Sequence, residues 1–259
     1  MSTVALTQVG HVARRSVLRT VRQPAQIIPS LVFPMLLLAI NASGLQRVTD
    51  LPGFPTDSFV TFALAIPFMQ GALFSVMNAG TDLARDIETG FLNRLALTPL
   101  RGGALLVGLL AGALVLGLVQ AAAFLLVGVA AGASFAAGVP GVFVIVALSM
   151  VMTLGFGAIG LIAALRTGSG EAVQGLFPLF FVFLFLSSMN LPRNLIGTDW
   201  FREVATYNPV SYLVEGIRSL LVTGWDGEAL ALGFGIAAAI AVIALAGASM
   251  ALKSRLVRT

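Results

Sequence analysis

Side chains able to do chemistry are scarce in this chain and concentrate in two places. One is the polar run Thr81-Asp82-Leu83-Ala84-Arg85-Asp86-Ile87-Glu88-Thr89-Gly90-Phe91-Leu92-Asn93-Arg94-Leu95-Ala96-Leu97-Thr98-Pro99-Leu100-Arg101, with three acidic and three basic groups between two apolar stretches. The other is Tyr207-Asn208-Pro209-Val210-Ser211-Tyr212-Leu213-Val214-Glu215-Gly216-Ile217-Arg218. There is no cysteine, which excludes disulfides and thiolate metal sites. The one histidine, His11, lies in the N-terminal tail, where a solvated or headgroup-facing imidazole accounts for it, and no metal site is expected. Catalysis inside the apolar stretches would need a Ser–His, paired-Asp or His-rich constellation, and the histidine lies outside them. A Gly-x4-Gly-Lys-Ser/Thr phosphate loop is also absent, so the chain has no nucleotide site of that kind. The chemistry left to these residues is recognition and docking.

The elements that must position them are membrane spans. Hydrophobic residues make up 58% of the chain and charged ones 10%, and the mean hydropathy is +0.99. Such a composition belongs to an integral membrane protein. Six stretches are long enough to cross roughly 30 Å of hydrocarbon: 25–44, 58–80, 104–130, 139–165, 171–190 and 228–252. The longest segment between spans, 191–227, leaves no room for a soluble domain of ordinary size. A single membrane domain over 1–259 is therefore expected, with 1–24, 81–103 and 191–227 as its non-spanning parts. Of the 15 Lys and Arg residues, 11 fall before the first span, after the last, or in the loops after the second and fourth. That bias puts both termini in the cytoplasm. It also explains the net charge of +4 without nucleic acid as a partner.

Smaller elements can be read between the spans. Arg14-Arg15-Ser16-Val17-Leu18-Arg19 superficially matches a twin-arginine signal. At 100° per residue, however, His11, Arg15, Arg19 and Arg22 share one side of a helix and Leu6, Val9, Ala13, Val17 and Val21 the other. That describes an amphipathic helix lying on membrane lipid at the cytoplasmic interface. Thr89 reads as a helix start and Pro99 as a stop, predicting a short cytoplasmic helix over 89–98 with Glu88 near its positive end. In that helix Phe91, Leu92 and Leu95 would lie together and Asn93 and Arg94 elsewhere. Asn208-Pro209 marks a break before another helix, in which Glu215 and Arg218 are spaced to pair. Two short helices re-entering the outer leaflet are expected there, since Trp200, Tyr207, Tyr212 and Trp225 all fall in this segment.

Within the spans, Gly108-xxx-Gly112 and Gly128-xxx-Gly132 permit close helix contact, more naturally inside one subunit than between two. Asn41, Gln70, Asn78, Gln120 and Asn190 read as interhelical hydrogen-bonding groups. No charged residue sits mid-span, which disfavours an ion-coupled secondary transporter, the main alternative class.

The two polar motifs together carry a resemblance. Glu88-Thr89-Gly90-Phe91-Leu92-Asn93-Arg94-Leu95-Ala96-Leu97-Thr98-Pro99 is similar to the cytoplasmic motif of type-2 ATP-binding-cassette (ABC) permeases, an acid and a Gly, a leucine-rich turn, then Thr-Pro. The Tyr207–Arg218 run resembles that family's second hallmark, Asn-Pro followed by an aromatic, an acid and an Arg. The sequence departs from many drug-export members at Ser187-Ser188-Met189-Asn190-Leu191-Pro192, where they carry a longer stretch with an extra Phe and Pro. The resemblance implies an all-α exporter subunit in a plasma (inner) membrane, of bacterial type. It would be joined to a second permease, identical or paralogous, and to two copies of an ABC ATPase subunit. This chain would hold no cofactor, and ATP and Mg would bind the partner ATPase. Coupling to that ATPase would fall to Glu88, Gly90, Phe91, Leu92, Arg94, Leu95, Thr98 and Pro99. The outer re-entrant motif would be Tyr207, Asn208, Pro209, Tyr212, Glu215 and Arg218. The resemblance also implies that the second and fifth spans line the pathway. Phe62, Phe68 and Met69 on one, with Phe181, Phe185 and Met189 on the other, are then the expected contacts for a hydrophobic or amphipathic cargo such as a drug, polyketide or lipid.

Overall fold

Prolines and glycines divide a chain that is otherwise helical almost from end to end. The computed structural model describes residues 3–96 and 102–258. In chain order the helices are α1 (Thr3–Val21), α2 (Pro24–Leu45), α3 (Phe59–Ala63), α4 (Ala65–Glu88), α5 (Phe91–Ala96), α6 (Gly102–Ala130), α7 (Gly138–Thr167), α8 (Gly170–Gln174), α9 (Phe177–Phe185), α10 (Asp199–Tyr207), α11 (Pro209–Val222) and α12 (Gly227–Arg258). Among the described residues there is no strand.

Five of the expected crossings are helices long and apolar enough to span a membrane: Pro24–Asp50, Phe59–Glu88, Leu105–Ala130, Gly138–Thr167 and Gly227–Arg255. The stretch expected at 171–190 is different. It is broken into α8 and α9, which together reach only from Gly170 to Phe185. At 1.5 Å per residue that is about 24 Å, short of the roughly 30 Å of hydrocarbon. The break has a local cause. Pro178 in the first turn of α9 has no N–H to donate to the preceding turn, so α8 closes at Gly175 and a new helix begins.

Helix α4 is the central post. Nearly all of its apolar window (94%) is buried, against 17% for α2 and 22% for α12, which leave most of their surface for lipid or another chain. It meets α7 backbone to backbone. A Cβ added at Gly160 would overlap the Val76 carbonyl, and one added at Gly80 would come within 2.8 Å of the Gly160 carbonyl oxygen. Small residues permit such an approach, and packing contact is then the main attraction available in a membrane. Gly108 and Gly112 do the same for α1: their added Cβ atoms would strike Val12 and the Ser16 and Thr20 hydroxyls. The first glycine pair therefore packs inside the subunit, and its partner is the N-terminal helix.

The mid-span polar groups divide. Pro34 cannot donate to the carbonyl of Ser30, four residues earlier, and the Gln120 amide donates to that freed oxygen at 3.3 Å. Gln70 and Asn78 on α4 do not form the expected interhelical bonds. Both Gln70 polar atoms and the Asn78 Nδ2 are buried with no partner among the described residues.

Candidate functional site

The polar run 81–101 is not a free loop. Its first half continues the central helix, so Asp82 and Asp86 lie one turn apart on α4. A short helix does form within the expected 89–98, as α5 from Phe91 to Ala96, but Thr89 does not start or cap it, and residues 97 and 98 lie outside the described residues. The Thr89 N–H and hydroxyl both donate to the Arg85 carbonyl, at 3.0 and 2.8 Å, so Thr89 closes α4. Gly90 then takes φ +68°, a conformation that side-chain-bearing residues rarely adopt, and α5 starts at Phe91. Glu88 is accordingly the last residue of α4, with no capping role on the short helix.

Helix α1 holds this corner in place. The Arg15 guanidinium binds both oxygens of Asp86 at 2.7 and 2.9 Å and lies over the Phe91 ring, 3.6 Å from its centre. Arg19 reaches Asp86 at 2.9 Å, Asp82 at 3.2 Å, and the Asp82 carbonyl. The Asp86 hydrogen bonds outweigh the cost of burial and raise the Arg15 pKa above the ordinary arginine value, so this guanidinium is charged at any physiological pH. A bidentate arginine and a shared carboxylate fix orientation as well as distance. Thus α1, α4 and α5 form one unit. The amphipathic face of α1 was expected to meet lipid headgroups. Two of its arginines are instead spent on these carboxylates.

The structure divides the predicted coupling residues into two groups. Leu92 is buried in a cluster with Leu83, Leu105, Leu106 and Leu161, and Phe91 is half-buried beneath Arg15. Both face the rest of the chain. Glu88, Thr89 and Arg94, with Arg85, face outward, and Gly90 forms the turn between them. The Leu95 side chain, Thr98 and Pro99 lie outside the described residues. Sequence reasoning missed Arg15, Arg19, Asp82 and Asp86 as a set. The available signal was that each pair repeats at four residues, which puts two matching charges on one face of each helix.

At the other end of α4, the Tyr207–Arg218 motif builds a polar junction. Asn208 caps α11, accepting from Val210 N–H at 3.0 Å and donating to the Phe183 carbonyl at 2.6 Å. Pro209 opens α11 as expected. The expected Glu215–Arg218 pair is absent. Glu215 takes hydrogen bonds from Ser188 and Arg193, both at 2.7 Å. The buried Arg218 donates to the carbonyls of Phe62, Ser188 and Met189 at 3.1, 2.9 and 2.7 Å, and stacks 3.6 Å over the Phe62 ring. The Arg218 guanidinium, with five N–H donors, thus ties the stretch after α9 to the start of the second span through three carbonyls. The Tyr212 hydroxyl donates to the Thr206 carbonyl, and Tyr207 is exposed.

The pathway candidates are also split. Phe62, Phe68, Met69 and Met189 are sealed inside the subunit: Phe68 packs edge-on against Phe124, and Phe62 lies beneath Arg218. Phe181 is half-buried between Phe33 and Phe177, and Phe185 is 54% exposed. Among the described residues no three His, Asp or Glu side chains are placed to hold a metal ion.

A central helix carrying a short helix at one end and an Asn-Pro junction at the other invites comparison with transport families. The profile of the ABC-2 type transporter family matches residues 7–222, from α1 through α11. The chain belongs to this family. Comparison with curated proteins gives no match. As an ABC-2 membrane domain, the chain is a multi-pass transport subunit, and the matched region takes in both polar motifs of the permease.

Proposed function

We propose that this permease is the membrane subunit of an exporter driven by a separate ABC ATPase, which docks on the outward rim of α5. The reading rests on the mechanical continuity of α4. This buried, backbone-packed helix is joined at its cytoplasmic end to α5 and α1, and through α3 reaches the Arg218 junction at its other end. A push on α5 therefore reaches the far side of the subunit without passing through a flexible loop. The functional complex contains two ATPase copies, which bind ATP and Mg, and a second permease, identical or paralogous. It sits in a bacterial plasma membrane with both termini cytoplasmic. Cargo is hydrophobic or amphipathic. The exposed and half-buried aromatics Phe33, Phe181 and Phe185, on the α2–α9 surface, support that choice better than the buried Phe62, Phe68, Met69 and Met189.

Burial decides how the docking rim is tested. Arg94→Glu reverses an exposed charge and leaves the permease core untouched, so it should cut co-purification of the ATPase about tenfold or more while the subunit remains monodisperse. Leu92→Asp buries a carboxylate inside the permease and should lower the yield of folded subunit. Unchanged ATPase capture by Arg94→Glu and Glu88→Lys together would remove this surface from the interface.

A further inference from the structure

Beside the α1 anchor lies an open cavity of about 360 Å³ lined by His11, Arg14, Arg15, Leu18, Arg19 and Arg22. Four guanidiniums border it, and only two of them, those of Arg15 and Arg19, are paired, with Asp82 and Asp86. His11, Arg14 and Arg22 are exposed, and their side chains have no hydrogen-bond or ion-pair partner among the described residues. Four arginines against two carboxylates leave a local charge of +2 with His11 neutral, and no acidic residue lines the cavity. We propose that this groove binds the phosphate of an anionic membrane lipid.

The chemistry favours phosphate because guanidiniums present planar N–H pairs to its oxygens. Position favours a lipid over a free anion. Leu18 forms part of the groove wall and Val21 is 60% exposed beside it. Helix α2 starts at Pro24, so the groove lies just before the first span, at the level where headgroups sit, and Ile28, Val32 and Leu36 are exposed along that span for acyl chains. Arg15 and Arg19 line the groove and also bind the α4 carboxylates, so the bound headgroup lies against the anchor that holds α5. The proposal needs no ATPase partner and stands apart from the export reading.

The test is native mass spectrometry of the detergent-solubilised full chain titrated with short-chain phosphatidylglycerol, phosphatidylcholine or inorganic phosphate. Wild-type protein should retain phosphatidylglycerol in preference to phosphatidylcholine, and inorganic phosphate should not displace it. The double substitution Arg14→Gln/Arg22→Gln leaves Arg15 and Arg19 on their carboxylates. It should weaken phosphatidylglycerol retention about thirtyfold with no change for phosphatidylcholine. If the double variant is not monodisperse, each single substitution should show part of the same loss. Equal retention of both lipids, displacement by inorganic phosphate, or undiminished phosphatidylglycerol binding in the variants would overturn the assignment.

Discussion

Gly160→Leu should sharply lower both the yield and the thermal midpoint of the folded subunit. An atom added at this position has nowhere to go, because its nearest neighbour is the Val76 carbonyl of the facing helix, part of a rigid backbone. Side chains can change rotamer to absorb an overlap, but two helix backbones in contact must separate. That separation would undo the α4–α7 crossing on which the core of the permease is built. Overpacking of ordinary cores costs about 1–3 kcal/mol, and a backbone clash belongs at or above the top of that range. Set against a total stability of about 5–15 kcal/mol, the loss is large. The same chain supplies its own control. Gly235 on α12 has nothing within 4 Å of an added Cβ, so Gly235→Ala should behave as wild type. Monodisperse yield and thermal midpoint in detergent measure both variants, and normal yield of Gly160→Leu would show that α4 and α7 do not meet as described.

Asp86→Ala should release α1 from its corner with α4 and α5. Asp86 is buried and carries three of the hydrogen bonds that Arg15 and Arg19 make there. Removing one partner of a buried ionic cluster costs about 3–5 kcal/mol. Arg15 is 40% exposed at its side chain, so water recovers part of that, and about 2–3 kcal/mol is expected. The glycine-lined seat on α6 remains, so the subunit should still fold while α1 becomes more open to protease and hydrogen exchange. Arg15→Lys should give a smaller version of the same effect, since an ammonium cannot bridge both Asp86 oxygens. In a double-substitution cycle, Arg15→Ala should add little once Asp86 is gone. Full additivity would mean that the two side chains act independently.

Much of this architecture is legible in the sequence, because hydrophobic runs and charge bias are local signals. The crossings other than the broken fifth one, the Pro209 helix start and the tight approach at Gly108 and Gly112 can all be read that way. The parts that cannot be read depend on what stands opposite. Glu215 and Arg218 have pairing spacing, yet Arg193 and three carbonyls compete for them and win. Thr89 has the residue type of a helix start, but its hydroxyl instead donates to the Arg85 carbonyl one turn back in α4. The Arg15–Asp86 contact joins residues 71 apart, and no short-range pattern specifies that pairing. Leu92 looks like a docking residue in isolation, until tertiary packing turns it inward and leaves Arg94 outside.

On the proposed function, ATP hydrolysis on a separate chain drives transport through this permease. The most direct measurement reconstitutes the permease with a co-expressed ABC ATPase in inside-out vesicles and follows uptake of a hydrophobic fluorescent cargo. Uptake should require ATP and Mg, persist when ionophores collapse the ion gradients, and fall with Arg94→Glu. Uptake that proceeds without the ATPase chain and stops when the gradients collapse would contradict the account and favour an ion-coupled carrier.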